Sequence, residues 1–167
     1  MIAENTIETT KIWSLLQEVS DPEIPVLSVV DLGIIRNVTA TDDEVKIIIT
    51  PTYSGCPAIT RIEWDLRIKL AENGYKNVSI VSRLSPVWTT DWMSEQGKQK
   101  LKAYGIAPPN DTQSVCSPDL FVMDEAVQCP LCNSYNTKLV SRFGSTACKA
   151  FYQCKDCSEP FDYFKCH

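Results

Sequence analysis

Eight cysteines in 167 residues are the side chains with the most chemistry to offer, and four of them have a metal-ligand spacing. Cys129-Pro-Leu-Cys132 is followed, after 21 intervening residues, by Cys154-Lys-Asp-Cys157. Each Cys-x-x-Cys hook curls two sulfurs toward one point, and two hooks joined by a hairpin's length of chain place four thiolates around one tetrahedral Zn²⁺. The expected result is a closed structural site, stabilising a segment too small to fold on its apolar core alone. The same four thiolates suit a mononuclear iron or a cluster, so the metal's identity stays open at this level.

Cys56 is the second focus. It stands in Thr50-Pro51-Thr52-Tyr53-Ser54-Gly55-Cys56-Pro57, and a proline there suits the first position of a helix, which puts Cys56 at the N-cap. A thiol at a helix N-terminus lies near unpaired amides that favour its thiolate, so it is a candidate nucleophile or metal ligand; the alternative is a cysteine filling a turn. Thr50 and Thr52 bring hydroxyls beside it. Asp21 and Glu23, on the proline-stiffened stretch Asp21-Pro22-Glu23-Ile24-Pro25, would add carboxylates if that loop approaches, giving a thiol that holds a metal ion transiently. Cys148 is expected as a packed small residue in a strand, Cys116 as a loop residue, and Cys166 with His167 as a frayed end. Trp88, Trp92 and Tyr104 would be either core or an exposed aromatic patch for a partner.

The elements that position these residues follow from periodicity. Ile12, Leu15, Leu16 and Val19 form one helical face, capped by Asn5 or Thr6 and stopped at Asp21-Pro22. Asp31-Leu32-Gly33-Ile34-Ile35 reads as a turn into a strand, residues 45–49 as its hairpin partner, and Ile59, Ile62, Leu66 and Leu70 as the face of a second helix ending at Gly74. Residues 78–84 read as a third strand and 91–104 as a helix carrying Met93, Leu101 and Tyr104 on one side, stopped by Gly105. The first hundred residues are thus α-β-β-α-β-α, and the fold class is α+β. Strands at 139–143, 147–153 and 161–164 would build a small ribbon around the hooks. The expected domains are 1–106, a linker over 107–125, and the ribbon over 126–167.

Charge limits the partners. Residues 1–125 are net −7 and residues 126–167 net +2, a poor basis for holding phosphates, so nucleic acid is disfavoured and a protein surface is the expected partner. No apolar run approaches the ~20 residues of a membrane span, and the first residues lack a signal-peptide pattern, which points to the cytoplasm. Neither paired Glu-x-x-His motifs for a diiron carboxylate centre nor a Gly-rich dinucleotide fingerprint is present, and no acid–base constellation suggests an enzyme.

Asp21-Pro22-Glu23, Asp31-Leu32-Gly33 and the 50–57 stretch resemble the MIP18-like, or domain-of-unknown-function 59, family, linked to iron–sulfur cluster assembly. With residues 86–93, 143–150 and 159–166 and the ribbon, the resemblance narrows to the D subunits of the bacterial 1,2-phenylacetyl-CoA epoxidase system of aerobic phenylacetate degradation. It implies a MIP18-like domain fused to a zinc ribbon. It also implies an accessory, non-enzymatic role in assembling or repairing iron or iron–sulfur centres of the oxygenase and reductase partners, with Asp21, Glu23, Thr50, Thr52 and Cys56 as the functional cluster and iron or a cluster visiting Cys56. The alternative within the same system is a stable, non-catalytic scaffold component. Oligomeric state, self-association included, is left open.

Overall fold

The computed structural model describes residues 6–41, 43–110 and 126–165. By packing, the chain divides into two compact units, residues 1–88 and 89–167. The expected partition was 1–106, 107–125 and 126–167, and most of its linker, 111–125, lies outside the described residues.

In the first unit, α1 (Thr6–Leu16) ends earlier than expected. Glu18 and Val19 donate to Leu15 and Leu16 in i→i−3 bonds of 3.1 Å that tighten the helix into a turn, before the prolines are reached. Ile12, Leu16 and Val19 are buried as the periodicity demands; Leu15 is half-buried. β1 (Ile35–Ala40) and β2 (Val45–Ile49) form the expected antiparallel hairpin, closed by Thr41, whose N–H donates to Glu44 O while its hydroxyl accepts from Glu44 N. α2 (Ala58–Glu72) then crosses over to β3 (Val78–Ser82), which pairs parallel to β2 and gives the sheet order β1-β2-β3. The buried stripe of α2 is Ala58, Ile62, Leu66 and Leu70, with Ile59 half-buried at its margin. Each of its large side chains contributes about 1.5–3 kcal/mol by leaving water.

The second unit begins with a single 3₁₀ turn (Thr90–Trp92) and α3 (Glu95–Tyr104), where one continuous helix was expected. Ser94 is the reason: its hydroxyl accepts from Gly97 N at 2.9 Å and caps a new helix start. Met93 and Leu101 are buried, but Tyr104 is 57% exposed and leaves the expected face. Gly105, at φ 90°, ends α3 and turns the chain straight into β4 (Ile106–Ala107). This two-residue strand was not expected. It pairs parallel with β7 (Pro160–Phe164) and makes the order β4-β7-β6-β5, with β5 (Thr137–Ser141) and β6 (Lys149–Cys154) antiparallel. The ribbon core is Val127, Cys129, Ala150, Tyr152, Cys154 and Phe161 together with Ala107 of β4. Tyr152 stacks on Phe161 and meets Tyr163 edge-on. The result is an α+β chain, and among the described residues no helix is long and apolar enough to cross a membrane.

Candidate functional site

The two hooks have the same local geometry. In each, the amide of the first cysteine donates to the carbonyl five residues on, Cys129 to Ser134 at 2.8 Å and Cys154 to Glu159 at 2.9 Å. The residue after the second cysteine takes a left-handed backbone, Asn133 and Ser158 both at φ 62°, so that the chain curls around the sulfurs. Asp156 of the second hook accepts from the Ser134 hydroxyl and from Asn136 Nδ2 at 2.7 Å, which ties the hooks together and holds its carboxyl below the usual range.

The four sulfurs lie within 4.8 Å of one another, Cys129 Sγ to Cys157 Sγ at 3.8 Å and Cys132 Sγ to Cys154 Sγ at 3.5 Å. Tetrahedral Zn–S bonds of about 2.3 Å require S···S edges of about 3.8 Å. The cage therefore has the dimensions of a four-thiolate metal site and is far too wide for disulfides. Backbone amides of Cys157 and Asp156 lower the Cys154 thiol, while burial and the neighbouring sulfurs raise Cys157 and Cys132, so the four thiols titrate as one interacting group.

Cys148 stands just before β6, buried, with its sulfur 3.0 Å from the Thr146 hydroxyl and outside the four-sulfur group. Cys116, Cys166 and His167 lie outside the described residues.

The upstream cluster is built by two loops. Residues 50–57 leave β2 through a turn, Cys56 N donating to Tyr53 O at 3.2 Å, and enter α2. Pro57 takes the N-cap and Ala58 the first helical position, so Cys56 stands one residue further out than expected. The second loop folds residues 19–29 back on themselves, with Asp21 N bonded to Leu27 O and Val29 N to Val19 O. Asp21 is buried, and its Oδ1 accepts from Glu23 N and Ile24 N, both at 2.8 Å, a turn that fixes where Glu23 stands.

Asp21 and Glu23 come within electrostatic range of Cys56, and the Thr52 hydroxyl hydrogen-bonds its sulfur. Thr50, buried, joins through its backbone, its N–H donating to Ile34 O at 2.9 Å. Burial raises the Cys56 thiol above its ordinary value; the Ala58 amide opposes this, Glu23 adds to it, Thr52 opposes, and Asp21 adds again. One amide and one hydroxyl are outweighed by desolvation and two carboxylates, so the surroundings oppose the thiolate that a helix N-terminus alone would favour. Among the described residues, only the ribbon cysteines form a group of three or more potential ligands close enough to share a metal.

Of the three aromatics expected as either core or an exposed patch, each is placed differently. Trp88 is 1% exposed, its Nε1 donating to Leu32 O at 2.9 Å, while Trp92 is half-buried and Tyr104 lies open. Sequence reasoning also missed the polar network under the site, in which Gln17 Nε2 donates to Ser28 Oγ and Asp31 Oδ1. The Asp31-Leu32-Gly33 motif was its only sequence signal.

Two family models match separate stretches of the chain: "Iron-sulfur cluster assembly protein" over residues 9–80 and "PaaD zinc beta ribbon domain" over residues 114–165. The chain is 49% identical over 156 residues to the putative D subunit of 1,2-phenylacetyl-CoA epoxidase from Escherichia coli (strain K12), a match spanning 93% of this chain and 92% of that protein. It is 42% identical over 89 residues to "Fe-S protein maturation auxiliary factor" of Porphyromonas gingivalis (strain ATCC BAA-308 / W83), covering 52% of this chain and 84% of that one. The crystal structure of a domain of unknown function, DUF59, from Bacillus anthracis superposes with a TM-score of 0.53 at 29% identity, covering 56% of this chain and 90% of the domain. An iron–sulfur assembly domain followed by a four-cysteine ribbon, matched nearly end to end by one relative, means that this chain belongs to the family of phenylacetyl-CoA epoxidase D subunits.

Proposed function

We propose that the protein is a non-catalytic accessory component that delivers iron, or an iron–sulfur unit, to the metal centres of oxygenase or reductase partners in a phenylacetyl-CoA epoxidase system. The observation that carries this reading is the half-buried Cys56 thiol, hydrogen-bonded by Thr52 and within electrostatic range of Glu23 and Asp21. The carboxylates attract a cation, the cation displaces the thiol proton, and with few ligands in place the metal leaves readily for a client with more. Iron is cargo at this site. In the ribbon, Cys129, Cys132, Cys154 and Cys157 hold zinc as a resident structural ion, and the exposed Leu131 and Tyr135 beside the first hook give that face apolar surface for a partner.

The test is co-expression of the partner proteins with wild-type protein or with Cys56→Ala. The variant is expected to keep its fold and zinc while the oxygenase or reductase made alongside it carries less iron; full iron in those partners would remove the role of Cys56.

A second reading is a stable scaffold component, favoured by the absence, among the described residues, of a second three-ligand group besides the ribbon cysteines. It predicts stoichiometric retention in the purified complex and an oxygenase indifferent to Cys56→Ala.

A further inference from the structure

Trp88 belongs to a stretch that the proposed function does not use, yet its buried indole reaches 56 residues back along the chain to donate to Leu32 O at 2.9 Å. Leu32 sits in a compact turn over residues 28–34, where Leu32 N, Gly33 N and Ile34 N donate to the carbonyls of Ser28, Val30 and Val29. Gly33 adopts φ 68°, a left-handed conformation that a side chain would strain.

Asp31, 2% exposed, clasps this turn: its Oδ2 accepts from Ser28 N at 3.1 Å, and its own N–H donates to Ser28 Oγ at 2.9 Å. Gln17 of the turn after α1 bonds both side chains, at 2.8 Å to Ser28 and 3.2 Å to Asp31. Both ends of the turn lead to the Cys56 cluster. On one side Val29 N bonds Val19 O, beside the folded loop that carries Asp21 and Glu23. On the other, Ile34 O accepts from Thr50 N, where the loop to Cys56 begins. The turn is therefore the piece that joins the carboxylate loop to the thiol loop, and the Trp88 N–H is its bond to the end of the first unit.

We infer that Trp88 is a positioning residue for the Cys56 site: its indole N–H fixes the 28–34 turn, and through the turn's bonds to Val19 and Thr50 it sets the loop that carries Asp21 and Glu23 relative to the loop that carries Cys56. The inference rests on the reading that Cys56 receives metal. Residues that orient ligands from behind commonly change metal affinity 10–100-fold when altered.

Trp88→Phe keeps an aromatic ring and removes the N–H, and Ile47→Val, in the core of β2 away from the turn, serves as a comparison that loses stability without touching it. With the ribbon loaded with zinc, Co²⁺ is titrated into each protein, and the thiolate-to-cobalt band that disappears in Cys56→Ala is followed. Separately, the rate of iodoacetamide alkylation at Cys56 is measured by mass spectrometry.

Trp88→Phe is expected to bind Co²⁺ about 10-fold or more weakly and to alkylate faster at Cys56, with zinc content unchanged, while Ile47→Val follows wild type in both readouts. Trp88→Phe indistinguishable from Ile47→Val in both would overturn the positioning role. A wild-type protein with no Cys56-dependent cobalt band would instead overturn the metal reading, and the alkylation rates would then decide the positioning of Cys56 by themselves.

Discussion

The chain holds two cysteine sites of opposite design. In the ribbon, four sulfurs converge within 4.8 Å and both hooks are clasped by backbone bonds. At Cys56 a single thiol is raised by its surroundings and faces two carboxylates that do not close a ligand shell around it. Under the proposed function the difference separates residence from passage: a cage that completes a metal's coordination would keep it, whereas one thiol with acidic neighbours would meet a metal and let it go.

Removing the ribbon metal is the strongest way to break this contrast. Structural zinc in small domains is worth roughly 10–16 kcal/mol of folding free energy. Cys129→Ala, or chelation of the wild type, is therefore expected to abolish the ordered ribbon, read as loss of its dispersed NMR amide signals, while signals of residues 1–88 persist. A ribbon that stays ordered without metal would show that its apolar core suffices.

Packing inside the ribbon supplies the next largest effect. A Cβ at Gly144 would come 2.7 Å from Asp162 Oδ1 and 3.2 Å from Lys149 Cβ. Gly144→Ala must then displace the carboxylate that sits 3.9 Å from the buried Lys149 ammonium, and it should cost about 1–3 kcal/mol in chemical denaturation of the zinc-loaded protein. No loss would mean that the Asp162 side chain moves aside freely.

The Cys56 site predicts a pH effect whose sign follows from its neighbours. Glu23 raises the thiol's pKa, so Glu23→Gln should lower it. The pH profile of Cys56 alkylation should move to lower pH, with faster reaction at neutral pH and weaker capture of Co²⁺. A profile unmoved or shifted upward would separate Glu23 from the thiol. The smallest effect is expected on the surface: Arg61 and Asp65 pair at 2.9 Å on the exposed face of α2, and Arg61→Ala should cost about 0.3–0.5 kcal/mol in the same unfolding measurement.

What was legible in the sequence was what is local. Cys-x-x-Cys hooks, the Ile62, Leu66, Leu70 stripe and the hairpin of β1 and β2 are set by neighbours within a few residues, and each formed as its spacing demanded. The two-residue β4 carries no periodicity to read, since its strand character comes from pairing with Asp162 and Tyr163, more than fifty residues away. Ser94 split the expected third helix because a capping hydroxyl outweighed the apolar spacing around Met93. At the site, residue types announced a thiol with acids and hydroxyls, but the approach of Asp21 and Glu23 depends on a turn braced by Gln17, Asp31 and Trp88, partners that no local pattern links.

The central claim is that Cys56 is a second metal contact, distinct from the ribbon and occupied only in passing. Zinc-loaded wild-type protein and Cys56→Ala, prepared without oxygen, are dialysed to equilibrium against ferrous iron, and the bound zinc and iron are counted. The account predicts one zinc per chain in both proteins and iron in the wild type that exceeds the variant and is recovered in the dialysate on dilution. Equal iron in the two proteins would contradict it.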